Sequence, residues 1–351
     1  MIFNTEVVGE LVRKFSLCKS KSDFLTSLWA PNYLTAKTGA DNVSISKSDF
    51  HCMKLLEEGG EMKLVTFDAG RVGRIDGDMI IELDCSTMRE YFERDASVKE
   101  TGARVRLSDA KLRAPIVPKK FFHTAGNFRE HHEDLARVNW SHPVNKGIVF
   151  FQNVDAIIGT EEPVVYPSQL TNELDYELEM AIVIKKGGKF FSAEQAIEHI
   201  AGYMVFNDIT ARDIQRREMA SGVFSFSKAI DTFCPIGPWI VTADEVGDPH
   251  DLDMELRVNG QVRQKSNTSR MSVSIPQLVA YHSPQIYSPG DLISTGTIAG
   301  VAASTDDPFA NYLKPGDVVE AEIEKLGILR SPIISWMDAY GEEPPPADIW
   351  M

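Results

Sequence analysis

The eleven residues LDYELEMAIVI, 174–184, constrain the fold of this chain more than any other stretch. As a strand, they alternate between two faces of a sheet. Tyr176, Leu178, Met180, Ile182 and Ile184 share one apolar face, while Glu177 and Glu179 share the other, continued by Ala181 and Val183. A strand this apolar thus holds two carboxylates side by side on a face that is otherwise buried. Residues two apart on a strand sit roughly 7 Å apart. At an effective dielectric of about 20, two charges at that separation repel by roughly 2.4 kcal/mol, and desolvation adds to it. The pair needs a cation, or one member stays protonated.

A divalent metal resolves the conflict best when a third carboxylate joins. Asp208, closing the apolar run AGYMVFND, is the best candidate. Three carboxylates with room for water suit a hard, oxygen-preferring ion: Mg2+, with Mn2+ and Ca2+ as alternatives. The plain reading of Glu-x-Glu is a solvated strand face. Ala181 and Val183 argue against solvent there, as does the apolar strand that leads into Asp208.

Around this stretch the chain reads as short strands punctuated by turns: VVYP, YMVFND, PWIVTADE, MELRVNGQVRQ, DLISTGT and VVEAEIEKLGILRSPI. Asp76-Gly77 and Asn259-Gly260 mark tight hairpins. Pro289-Gly290-Asp291 and Pro315-Gly316-Asp317 mark strand entries. One helix is expected from Ser192, capped with Gln195 and burying Ala196, Ile197, Ile200 and Ala201; a second is expected from about Arg129 to Val138. No GxGxxG or phosphate-binding loop follows a strand. The pattern predicts an α+β, β-dominated chain and not a doubly wound nucleotide binder.

Composition narrows the function classes. The 351 residues carry 36 basic and 51 acidic side chains, a net charge of -15, and such a field repels nucleic acid and anionic lipid. No apolar run reaches the roughly 18 residues of a membrane span. Cys18, Cys52, Cys85 and Cys234 lie far apart without a CxxC pair, as expected of reduced thiols in a cytoplasmic protein. An anionic substrate would need locally placed positive charge.

Three further groups supply candidates. In ITARDIQ, Arg212 and Gln215 lie one helical turn apart and can point the same way. Lys228 follows amid aromatic and small residues in FSKAIDTFCPIGPW, and these cations could bind a carboxylate or an enolate oxygen. In AGNFREHHEDL, His131 and Asp134 are neighbours on a helix turn, where the carboxylate could orient the imidazole as a base for water. In isolation that segment reads as an exposed polar helix face.

Together YELEMAIVI, NDITARDIQ, KAIDTFCPIGPW, VNGQVRQKSNTSRM and GTIAGV, in this order, resemble the fumarylacetoacetate hydrolase family, across residues 119–332. The resemblance implies a mixed β-sandwich or β-roll, usually a homodimer, with the active site in the C-terminal domain. It implies Glu177, Glu179 and Asp208 as metal ligands and Lys228 as the stabiliser of an enolate. Arg212 and Gln215 would line the substrate pocket, and Thr297 with the backbone of Gly296 would hold the substrate carboxylate. GNFREHHED corresponds to the family's lid and base pattern, with Asp134 where the family has Glu and one residue fewer between Gly126 and Asn127. Gln152 stands where many members carry Lys.

The activity so implied is C–C bond hydrolysis of a 1,3-dicarbonyl or acylpyruvate-type 2-oxo acid. Water activated by His131 attacks, Lys228 holds the enolate, and residues 128–145 close as a lid. Tautomerisation of 2-hydroxymuconate-type dienoates and decarboxylation of oxaloacetate-type acids are the alternatives on the same site, and a non-catalytic ligand binder is the alternative from another class. A small strand-rich N-terminal domain is expected over 62–118, the catalytic domain over 119–332 and a tail over 333–351. Residues 1–61 read as an appendage or a mis-called start, with Met62 opening the folded unit. The purine-rich coding capacity of Glu58-Gly59-Gly60-Glu61 would suit a bacterial ribosome-binding site. Intact-mass spectrometry of the native protein is expected to give a chain beginning at Met62; a mass beginning at Met1 would refute that reading.

Overall fold

The structure is a computed structural model and describes residues 33–38, 41–46, 62–137, 148–222 and 225–346. Two compact units divide the chain, 1–59 and 60–351. In the first, strands Tyr33–Thr38 and Asp41–Ser46 pair antiparallel.

The second unit is strand-dominated and mixed, as the α+β reading expected. Its large sheet runs, edge to edge, through strands Glu100–Arg106, Met79–Leu83, Arg71–Asp76, Lys63–Phe67, Cys234–Thr242, Ile200–Asn207, Leu178–Ile184, Leu292–Ser294, Phe121–Ala125 and Ile148–Phe151. A five-stranded sheet runs Val164–Tyr166, Gly327–Ser335, Val318–Ile323, Asp253–Val258 and Gln261–Asn267. Residues 62–118 contribute the first four strands of the large sheet, joined to the rest where Leu64 pairs with Ile240. Residues 333–335 complete the strand Gly327–Ser335, and a short helix, Trp336–Tyr340, follows.

Strand Leu178–Ile184 lies inside the large sheet and is buried at every position. Its two faces enter two cores, as the alternation predicts. Leu178, Met180, Ile182 and Ile184 pack in one cluster with Met254, Leu256, Val319 and Ile323 of the five-stranded sheet. Ala181 and Val183 pack in the other with Leu64, Phe121, Met204 and Ile236.

The turn signals translate closely into structure. Asn259-Gly260 forms the two-residue loop of its hairpin, with φ of 52° and 75°, the left-handed pair that favours these residue types. At the first hairpin the pairing of Asp76 with Met79 makes the loop Gly77-Asp78, one residue later than expected. Asp291 and Asp317 directly precede strands.

The helix from Ser192 is shorter than its apolar spacing suggests. The capping box of Ser192 and Gln195 forms, but only Ala193–Ala196 is α-helical. Ile200 and Ala201 are buried as strand residues, and Ile197 is exposed. Pairing of Ile200–Asn207 with a strand on each side outweighs the local helical preference. The helix Arg129–Arg137 forms as expected. Of the segment expected to close as a lid, residues 138–145 lie outside the described residues.

Ile182 is fully buried between two neighbouring strands. Ile182→Ala is expected to lower stability by about 2–5 kcal/mol, read as a shifted urea midpoint at unchanged slope.

Candidate metal centre and active site

Glu177 lies in the break between the short strand Leu174–Asp175 and strand Leu178–Ile184. Its backbone donates to the Asn207 side chain at 3.0 Å and accepts from the Asp208 N–H at 2.9 Å. The strand ends are thereby stitched together, and the acids they carry meet. Glu177, Glu179 and Asp208 are all buried, and one carboxylate oxygen of each lies within 4.8 Å of the others. Among the described residues no other group of three such side chains converges in this way. The side chains lean together more closely than the backbone spacing suggests. At that distance each charged pair repels by about 3.5 kcal/mol for an effective dielectric of about 20.

Two cations are built in. Lys228 Nζ donates to Glu177 Oε2 at 2.9 Å, Asp208 Oδ2 at 2.6 Å and Thr210 Oγ1 at 2.7 Å, which uses all three of its donors. Arg212 grips with its whole fork: Nε reaches Asp175 Oδ2 at 2.7 Å, Nη2 reaches Glu177 Oε1 at 2.7 Å, and Nη1 donates to Gln215 Oε1 at 2.9 Å. Burial disfavours both cations, but the neighbouring carboxylates outweigh it and hold each more firmly protonated than usual. Burial likewise pushes Glu177 up, yet Lys228 and Arg212 overcome it and bring its carboxyl to about 2.

Glu179 has no such partner. Burial, then the charges of Asp208 and Glu177, push its carboxyl well above the usual range against the Lys228 charge and the Ser294 hydroxyl, and the Gly296 N–H donates to it at 3.0 Å. Asp175, Glu177 and Asp208 stand against Lys228 and Arg212, leaving a surplus of one negative charge with Glu179 protonated and of two with it ionised. Asp208 Oδ1 is buried without a hydrogen-bond partner. A divalent cation fits this donor set: all-oxygen, convergent and under-neutralised.

The loop behind Glu179 is fixed by its own geometry. Gly296 has φ of +82°, and a Cβ there would lie 3.0 Å from the Thr124 carbonyl. Thr297 Oγ1 donates to the Leu178 carbonyl at 3.1 Å and accepts from Gln264 at 3.2 Å.

His131 is buried, while Arg129 and Glu133 on the same helix are exposed and paired with each other at 2.8 Å. The polar-face reading therefore fits those two and not the imidazole. Burial, reinforced by the Arg212 and Lys228 charges, lowers the ring's pKa to about 4 against the pull of Glu177. The structure does not join His131 to Asp134. Asp134 accepts from the Gly300 N–H at 3.0 Å and from Arg137, while His131 Nδ1 is buried without a partner. Asn127 clamps this helix's entry by bonding both ways to the Val273 backbone.

Several contributors were not singled out from sequence. Asp175 accepts from the Ala302 and Ala303 N–H groups as well as from Arg212. Its signal was present, since strand alternation puts it two places before Glu177. Glu218 accepts from the N–H groups of Ser225, Phe226 and Ser227, holding the turn that presents Lys228. It lies one helical turn beyond Gln215. Gln152, which the resemblance had marked as standing in place of a Lys, donates its Nε2 to the Lys228 carbonyl at 3.0 Å. His123, with Nδ1 3.4 Å from Asp208 Oδ2, had no local signal.

Residues 120–334 match the family described as fumarylacetoacetate (FAA) hydrolase C-terminal. The oxaloacetate tautomerase fahd2 of Xenopus laevis is 35% identical over 297 residues, 78% of this chain and 90% of that one. A solved 2-hydroxyhepta-2,4-diene-1,7-dioate isomerase from Mycobacterium marinum aligns with a TM-score of 0.65 at 31% identity, covering 79% of this chain and 99% of the other. The maleylpyruvate hydrolase of Sphingobium sp. SYK-6, in complex with manganese (II) ion and pyruvate, aligns with a TM-score of 0.61 at 28% identity, over 78% and 99%. This chain belongs to the fumarylacetoacetate hydrolase family, a family of enzymes that includes hydrolases, isomerases and tautomerases. Among the described residues no helix is long and apolar enough to cross a membrane.

The buried histidines set a pH dependence. Burial holds both His131 and His282 at about 4 in the folded protein. As pH falls from about 6.5, the unfolded chain takes up protons that the folded rings refuse. The two rings are therefore expected to lower stability between about pH 6.5 and 4, by up to about 1.4 kcal/mol per pH unit each, opposed in part by Glu179, which the folded protein protonates more readily than the unfolded chain. Melting temperatures across that window should show the decline, with a shallower slope for His131→Gln; identical slopes would contradict it.

Proposed function

We propose that this protein catalyses divalent-metal-dependent keto–enol chemistry on a small anionic 2-oxo acid of the oxaloacetate type. The observation that carries the reading is His131: buried, neutral at physiological pH, and not bonded to the carboxylate that would orient water beside it. A neutral imidazole accepts a proton from the carbon next to a carbonyl and returns it to oxygen, and needs no water for that exchange. The oxaloacetate tautomerase and dienedioate isomerase activities named for the relatives support the same class.

The parts take these roles. Glu177, Glu179 and Asp208 would hold the ion, with Mg2+ or Mn2+ as the occupants that an all-oxygen set favours and Ca2+ as a third. When bound, the ion polarises the substrate carbonyl as a Lewis acid and lowers the cost of negative charge on its oxygen. Lys228 adds positive charge beside the same oxygens. Arg212 and Gln215 keep Glu177 aimed inward, and the Gly296–Thr297 loop would receive the substrate carboxylate once a donor is released from Glu179 or the Leu178 carbonyl. The chain works as a homodimer.

C–C bond hydrolysis is the second reading. It is supported by the likeness to maleylpyruvate hydrolase, and it requires an oriented water that His131 alone must then activate. Purified protein loaded with Mg2+ or Mn2+ should be followed by ultraviolet absorbance on enol oxaloacetate and by product analysis on acylpyruvates. Tautomer exchange above the blank is expected, falling at least about 100-fold in His131→Ala and lost with the bound ion in Glu179→Gln. Predominant acylpyruvate cleavage would make the protein a hydrolase. Full turnover of Glu179→Gln without ion would remove the metal from the mechanism.

A further inference from the structure

His123 has no part in the reaction above, yet it borders the triad. It sits on strand Phe121–Ala125, 1% exposed, with Nδ1 3.4 Å from Asp208 Oδ2. Neither ring nitrogen has a hydrogen-bond partner at bonding distance. The ring stacks on Phe150 with centroids 4.4 Å apart and meets Phe206 edge-on at 5.3 Å and Phe121 at 4.9 Å. A slot walled by three phenylalanines would take a fourth at less cost than an imidazole, whose unpaired nitrogens lose their hydration on burial. Asp208 is the ionisable group that Nδ1 faces, and its Oδ2 is the oxygen that Lys228 also holds, at 2.6 Å.

A divalent cation among the three carboxylates competes with the Lys228 ammonium for Glu177 and Asp208. Once the ammonium yields Oδ2, His123 is the donor still facing that oxygen. We propose that His123 is a positioning residue for the ion site. Its Nδ1–H donates to Asp208 Oδ2, fixes that side chain, and leaves the unpartnered Oδ1 as the oxygen offered to the ion. Hydrogen bonds from beyond the ligands commonly set ligand orientation and metal affinity in this way. The aromatic walls keep the ring in place, and the bond to Asp208 selects its tautomer. This inference rests on the reading that the triad holds a divalent ion.

The test is calorimetric titration of Mn2+ into the metal-stripped full chain. It compares wild type, His123→Phe, His123→Met as an apolar replacement of another shape, and His123→Gln, which keeps an N–H donor. The apolar variants are expected to bind Mn2+ about 10–100-fold more weakly, with Gln recovering most of the affinity. Without metal, the apolar variants should unfold at or above the wild-type temperature, which a merely structural role would not give. Wild-type affinity in a folded apolar variant overturns the proposal, as does equal loss in the Gln variant. Nitrogen coupling from a directly ligating imidazole in pulsed EPR of bound Mn2+ overturns it too. If wild type itself binds no Mn2+, the ion reading fails and this one falls with it, an outcome distinct from the other three.

Discussion

Like charges confined at short range in a desolvated space govern the architecture of this protein. Three carboxylates meet where two neighbouring strands end, and all three are buried. Such a cluster survives only with opposite charge close by and with its geometry fixed by surrounding bonds. Both requirements are visible. Lys228 and Arg212 bring the charge, and the Glu177–Asn207 and Glu177–Asp208 backbone links fix the strand ends. Asp175 then anchors Arg212 to the 302–303 backbone, and Glu218 anchors the turn that carries Lys228. Much of the polar structure within the second unit can be traced outward from this one electrostatic problem.

The apolar framework answers the same problem mechanically. A strand flanked by two partners and covered on both faces cannot shift register without moving a whole set of side chains from one core to the other. Strand Leu178–Ile184 meets that condition, so Glu179 cannot slide toward solvent to relieve its repulsion. Its carboxyl is driven toward protonation instead, which keeps the cluster tolerable.

Much of this was legible from local sequence. Alternation in 174–184 located the central strand and both acids, because strand periodicity is a backbone property that tertiary context here only reinforces. Asn259-Gly260 and the two Pro-Gly-Asp turns were readable because few residue types tolerate those backbone angles. The helix from Ser192 was overestimated, since Ile200 and Ala201 satisfy a helical spacing and a strand pairing equally well, and only the sheet decides. His123 was invisible because its link to Asp208 crosses the sheet rather than the chain. The expected His131–Asp134 pair was a one-turn spacing argument. It failed because Asp134 finds a backbone N–H at Gly300 and a guanidinium at Arg137, leaving the imidazole to the interior.

That failed pairing bears on how one scaffold serves several reactions. The acidic triad and its cations depend on the sheet and on the helix bearing Arg212, and they change little without dismantling the core. The helix Arg129–Arg137 is held differently, by Asn127 to Val273 and by Glu130 to Arg270 and Ser266, bonds at the margin of the fold. If His131 is the base proposed above, its mounting on that helix makes it adjustable: whether a carboxylate orients it would decide between activating water and moving a proton on the substrate itself. On the proposed reading, that division assigns substrate binding to the rigid part of the molecule and the choice of reaction to the tunable part. Family members with a common core can then differ in outcome through a few side chains around one imidazole.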